Sequence, residues 1–338
     1  MFNRLKVLII LLLTSTLLFS AERNIPEIVT KVGTCAGNWL KLETGARAIG
    51  MGGAHVAVGD GIYAAPYNPA SIGFIKGSDS YFSNTQYVAG IQYNVLGYAK
   101  ELTPTDFAGI HLFYMDSGEM LVTDMANPDG YGEYFKVTGF SLRGVYTKIL
   151  TDRLKVGFAL KYIRETIYTT YMQSFVLDIG SNFDTGIYGM VLGMSVSNFG
   201  PDVQFHGEGL QVTVSEEEDV NERLERVTGK FPLPLTFRLG IKNDIIGPES
   251  AFFSIPGSRL SISLDGVNAM DYTVYGSFGA EYAWKEMAFA RFGTHIGHDT
   301  AGLSLGGGLK YRGIAIDYAY VDYGVLEVTH QFGIGLDF

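Results

Sequence analysis

Residues 185–201 read TGIYGMVLGMSVSNFGP, an uncharged and largely apolar run. As a helix it would be a poor membrane span, because it offers 17 residues with four Gly, two Ser and an Asn, where about 20 predominantly apolar residues are needed. The spacing of Gly189 and Gly193 imitates a helix-packing motif. Read with period two, the run sorts cleanly. Tyr188, Met190, Leu192, Met194 and Val196 fall on one face, and Gly189, Val191, Gly193, Ser195 and Ser197 on the other. One face is large and apolar and the other small or polar, which is the pattern of a half-buried β-strand.

The same alternation recurs along the chain. Val156, Phe158, Leu160 and Tyr162 stand opposite Lys155, Gly157, Ala159 and Lys161; Leu235, Phe237, Leu239 and Ile241 opposite Thr236, Arg238, Gly240 and Lys242. Leu260, Ile262 and Leu264 alternate with Ser261, Ser263 and Asp265, and Ile314, Ile316, Tyr318 and Tyr320 with Ala315, Asp317 and Ala319. Turn signals at Asn127–Gly130, Thr151–Arg153, Asp184–Gly186, Phe199–Asp202, Gly247–Pro248, Ile255–Gly257 and Gly297–Asp299 separate the runs. About 14 strands fit between Ser78 and Phe338, at roughly 19 residues per strand and connection, against about 9–11 for a membrane-spanning strand. The fold class read from this is all-β: a transmembrane antiparallel β-barrel of about 14 strands, its apolar face toward lipid and its small, polar and charged face toward a wet lumen. Aromatic residues at the expected strand ends, namely Tyr81, Phe82, Tyr168, Tyr171, Tyr282, Trp284, Tyr320 and Tyr323, suit the membrane interface. A soluble β-sandwich is the competing architecture, since its strands alternate too.

Composition excludes other classes. The 338 residues include 43 Gly, 45 aromatics (2 Trp, 21 Tyr, 22 Phe) and one Cys. So much Gly disfavours long helices. The aromatic content excludes a disordered chain, and a single Cys excludes a disulfide scaffold. The excess of 35 acidic over 25 basic residues excludes the usual basic nucleic-acid binder.

Three segments follow. Residues 1–20 place Arg4 and Lys6 before an apolar stretch that ends at Ser20-Ala21, the layout of a secretory signal peptide. Residues 21–76 lack long alternation and contain GARAIGMGGAHVAVGDGIYAAPYNPA at 45–70. The Gly50-x-Gly52-Gly53 cluster lacks the preceding strand and third Gly of a dinucleotide fingerprint. Residues 77–338 carry the barrel pattern and end in Gln331-Phe332-Gly333-Ile334-Gly335-Leu336-Asp337-Phe338. There Gly333, Leu336 and the terminal Phe338 resemble the signal read by the barrel assembly machinery of outer membranes.

The 45–70 stretch resembles the N-terminal signature of PorV/PorQ-type outer-membrane proteins, which belong with the FadL-like long-chain fatty-acid transporter superfamily. The resemblance implies a 14-stranded barrel in the bacterial outer membrane, with residues 21–76 folded inside the lumen as a hatch. In the hatch motif Arg47, Gly52, Gly53, Asp60, Asn68 and Pro69, Arg47 and Asp60 would make polar contacts to the lumen wall. Asn68-Pro69-Ala70 would form the turn toward the first strand. Gly59-Asp60-Gly61 departs from an acidic pair common in such proteins, and Ser71 from a Gly.

Catalytic chemistry is thin. No Gly-x-Ser-x-Gly elbow occurs, and the sequence is read as a non-enzyme without cofactor. His295 and His298-Asp299 flank Gly297 and read as a solvated turn rather than a metal site. Cys35 reads as a small buried residue of the hatch. The charge run from Glu216 to Arg226 falls in the longest connection, about 213–233, as a short surface helix or a solvated loop. The expected function is passive binding and uptake of hydrophobic small molecules; the alternative is a type IX secretion accessory that holds cargo proteins at the cell surface. Expected partners are outer-membrane lipid, the assembly machinery, and such ligands or cargo, with no nucleic acid.

Overall fold

The computed structural model describes residues 31–216, 220–248, 250 and 252–338, with side chains left aside at 212–225. The leader expected at 1–20 lies outside the described residues, as does the acidic core of the charge run, Glu217–Asp219. Fourteen antiparallel strands form one sheet: β1 (Ser78–Gln86), β2 (Gln92–Thr103), β3 (Asp106–Asp116), β4 (Val137–Thr151), β5 (Leu154–Ile167), β6 (Thr170–Asp184) and β7 (Val191–Phe199). It continues through β8 (Thr236–Gly247), β9 (Ser258–Ala269), β10 (Tyr275–Trp284), β11 (Ala288–Ile296), β12 (Leu303–Tyr311), β13 (Ile314–Asp322) and β14 (Val328–Asp337). Each strand pairs with its sequence neighbours, and β1 pairs with β14 from Asp79↔Asp337 to Gln86↔His330. The sheet is therefore closed. Closure leaves no unpaired edge, which is the condition for β-structure to cross a hydrocarbon layer. Among the described residues no helix is long and apolar enough to cross a membrane.

The alternation read from the sequence sets the two faces. Phe158, Leu160, Phe237, Leu239, Leu264, Ile314 and Ile316 project outward and are exposed, while Ala159, Lys161, Thr236, Ser261, Ser263 and Ala319 are buried inside. The inner face is nevertheless not the open, wet surface expected of it. Ser261, Ser263, Ser277 and Glu281 are essentially inaccessible, and Glu281 is covered by Arg47 of the chain before β1.

Three other expectations are corrected. Tyr188 and Met190 belong not to a strand but to the connection 185–190, where Gly186, Tyr188 and Gly189 all take left-handed backbone angles. Tyr81 faces inward and is buried, its hydroxyl accepting the Ala46 amide at 3.0 Å, so it is a wall residue and not an interface anchor. The charge run is neither helix nor open loop. Gln211–Glu216 and Val220–Glu225 pair as a small antiparallel hairpin.

The connections divide by length. The two longest, 117–136 and 200–235, lie at the end opposite Ser78 and Phe338, whereas the Ser78 end has tight turns at 104–105, 152–153 and 312–313 and no connection longer than 248–257. In outer-membrane barrels the short turns face the periplasm and the long loops face outward.

Candidate ligand cavity and the segment inside the barrel

Residues 36–75 pack against inward faces all round the barrel. Helix α1 (Ala46–Gly50) lies on β11–β14, the turn Ile62–Ala64 on β1–β3, and the turn Pro69–Phe74 on β3–β6. Small residues in the wall make room for backbone. A Cβ at Gly293 of β11 would run into the Met51 carbonyl carbon and the Gly52 nitrogen, and one at Gly193 of β7 into Val56. Gly52 itself turns with φ +61°, and a side chain there would sit 2.6 Å from the Thr294 nitrogen. The Gly-rich signature thus reads as mutual close approach of two backbones.

Polar groups of the wall satisfy this segment, whose short turns leave many backbone groups without partners of their own. Asp265 on β9 accepts the amides of His55 at 2.6 Å and Val56 at 2.8 Å. Asp79 accepts Ile62 N–H at 2.6 Å, Thr147 donates to Pro69 O at 2.7 Å, and Ser195 donates to Tyr67 O at 2.6 Å. Asn68 caps the following turn by accepting the Ala70 amide at 3.0 Å, and donates across to Ser181 O of β6 at 3.0 Å. Pro69 occupies the first position of that turn, where its missing N–H costs nothing.

Arg47 is the strongest tie. Its Nε and Nη2 each lie 2.8 Å from one oxygen of the fully buried Glu281 on β10, a two-pronged contact, and its Nη1 reaches Asp60. Asp60 does not reach the wall. It bonds Arg47 and accepts the Tyr63 hydroxyl at 2.8 Å, both inside the segment. Glu281 also takes Arg259 Nη2 at 2.9 Å and Arg291 Nε at 2.7 Å, and Arg291 reaches Asp317. Three guanidiniums on one carboxylate are balanced by acids on their outer sides. Burial, reinforced by the Arg47 charge, pushes His55 down to about 3, so it is held neutral. Burial opposes ionisation of Glu43, but His295 at 3.1 Å, Arg238 and His298 together outweigh it and keep the carboxyl below its usual range.

Several expected site residues fall elsewhere. Gly333 faces inward against the Tyr81 ring, whereas Leu336 and Phe338 project outward. Phe338 N–H and C=O pair with Ser78 at 3.0 and 2.7 Å, so the last residue helps close the barrel. His295 belongs to β11 and is bound to Glu43 rather than standing in a solvated turn; His298 accepts the Ala301 amide at 3.1 Å. Among the described residues no cluster of three or more His, Cys, Asp or Glu is arranged to hold a metal.

Above this segment, at the end bearing the long connections, lies a cavity of about 480 Å³ that sequence reading did not locate. Cys35, Ala36, Trp39 and Leu42 form its floor; Tyr87 and Ile91 come from the first outer connection, Met115, Glu165 and Ile167 from strand ends, and Phe205 and Phe231 from the connection 200–235. Cys35 is only half-buried and lines this cavity rather than being enclosed. Trp39 stacks on Phe113 with centroids 5.5 Å apart. The Ala36 amide bonds Pro232 O at 3.0 Å, and Lys41 pairs with Asp271 at 2.6 Å, which ties the start of the segment to the outer connections. A concave, mainly apolar space of this size suits a small hydrophobic ligand.

The architecture has solved counterparts. The channel described as the CymD monoaromatic hydrocarbon channel superposes with a TM-score of 0.58 at 13% identity, over 87% of this chain and 97% of that one. The toluene transporter TodX of Pseudomonas putida gives 0.53 at 12%, over 86% and 96%. A FadL homologue of Pseudomonas aeruginosa gives 0.53 at 11%, over 88% and 99%. The chain shares their barrel fold. No protein-family profile and no curated protein matches its sequence.

Proposed function

We propose that this chain is a non-enzymatic outer-membrane channel that takes up apolar small molecules passively, exported there by the leader at residues 1–20. The observation that carries the reading is the position of the apolar cavity, at the outer end of a closed barrel whose interior below it is filled by residues 36–75. Ligand captured from outside would rest on a floor that is itself the top of the filling segment. That segment then acts as a hatch, and ions find no continuous water path while it stays in place. The likeness to hydrocarbon channels supports the same reading, as does the PorV/PorQ-like signature at 45–70, by which we assign the chain to that type. Assembly machinery recognising the β14 terminus, and lipid around the outer face, are the partners this requires.

The experiment is uptake into proteoliposomes. Vesicles containing the chain are expected to equilibrate with external toluene faster than protein-free vesicles, while retaining an entrapped ionic dye. Equal rates with and without protein would contradict the proposal. The signature also supports a second reading, in which the outer connections 117–136 and 200–235 hold secreted cargo; a genome lacking a type IX apparatus would remove it.

A further inference from the structure

The cavity's charge is one-sided. Among the described residues its apolar lining carries a single carboxylate, Glu165, and no Lys, Arg or His. One oxygen, Oε2, accepts the Gly37 amide at 3.0 Å, which fixes the side chain at the cavity's floor. The cations nearest along the chain, Lys31, Lys41, Arg164 and Lys230, are not among the lining residues. Lys41 is paired with Asp271, and the Arg164 guanidinium lies 4.3 Å from the centre of the Tyr171 ring. Among the described residues the lining thus holds no cation to balance a bound anion, whereas Glu165 can accept from a bound donor.

We propose that Glu165 makes this cavity selective for apolar molecules whose head group donates a hydrogen bond, an amine or a hydroxyl, and makes it reject carboxylates of the same size. The inference rests on the uptake reading and narrows it. A carboxylate brought beside Glu165 would set two like charges in a desolvated space, where repulsion is far stronger than in water. A donor head would gain a charge-assisted hydrogen bond while its apolar body displaces water from Trp39, Phe205 and Phe231. On this view the fatty-acid class implied by the sequence resemblance is the wrong ligand for this entrance.

Trp39 supplies the readout. The chain has two Trp, and replacing the outward Trp284 by Phe leaves Trp39 as the sole reporter. In detergent or lipid nanodiscs, benzylamine and benzyl alcohol are expected to change Trp39 emission at concentrations about tenfold lower than benzoate, with toluene between. Glu165→Gln keeps an oxygen for the Gly37 amide; it should raise benzoate affinity and lower that of benzylamine by about tenfold each, leaving toluene unchanged. If benzoate binds the unmodified chain as well as benzylamine, the selectivity is overturned even where the variant fails to fold, and toluene binding keeps the uptake reading standing. If none of the four moves Trp39, the cavity is not a ligand site, and both the selectivity and its place in uptake fall.

Discussion

Glu281→Ala is expected to lower the stability of the barrel in lipid vesicles by about 3 kcal/mol, toward the lower end of what breaking a buried ion cluster costs, and to raise its ion conductance across a planar bilayer. The carboxylate is inaccessible and holds Arg47, Arg259 and Arg291 at 2.7–2.9 Å. Without it each guanidinium keeps one acid: Asp60, Glu286 and Asp317 respectively. Asp60 and Glu286 are half-exposed or more, so their attraction is screened and cannot replace a buried pair. Arg47 would then be held only by its own segment, and α1 would lose its charged tie to the wall. Arg47→Ala separates the two effects. It leaves Glu281 with two guanidiniums, so stability should fall less while conductance still rises. Urea unfolding in vesicles and single-channel recording check both, and unchanged conductance in the two variants would contradict the blocking role of residues 36–75.

Leu264→Arg is expected to cost about 2–4 kcal/mol in vesicles, the range for a cation on the lipid face near the bilayer centre. Leu264 lies in the middle of β9, projects outward at 45% exposure, and pairs in register with Ile241 and Phe278. In a soluble protein an outward Leu at that exposure could be replaced by Arg almost without cost. The penalty therefore arises from the surroundings of the residue and not from its contacts. Folding yield into vesicles against urea concentration measures it, and a change below about 0.5 kcal/mol would contradict lipid contact at that face.

The barrel was legible because period two is a local property. Each outward Leu, Ile or Phe declares its face within two residues, and the turn signals at 151–153, 184–186 and 297–299 mark real connections. What failed was also local in origin. Tyr188 kept the alternation of β7 on paper, yet three left-handed residues in 186–189 make that stretch a turn. The charge run carried no alternation strong enough to announce a hairpin. The interior was less legible, because its partners are distant in sequence. Arg47 and Glu281 are separated by 234 positions, Ser195 and Tyr67 by 128. Charged residues on the small face, such as Asp265 and Asp317, read equally well as wetted lumen groups or as caps for a buried backbone; only the segment packed on them decides. The cavity could not be read at all, since Trp39, Tyr87, Glu165 and Phe231 converge from four separate stretches.

In this structure the outward side chains are placed to meet lipid tails and the inward ones meet the chain's own first segment. Tryptophan quenching by lipids brominated at mid-chain tests it directly, comparing Leu264→Trp, in a background with Trp39 and Trp284 replaced by Phe, with a variant retaining only Trp39. Strong quenching is expected at position 264 and none at Trp39, which is buried inside the barrel. Absence of quenching at 264, or equal quenching at both sites, would contradict it.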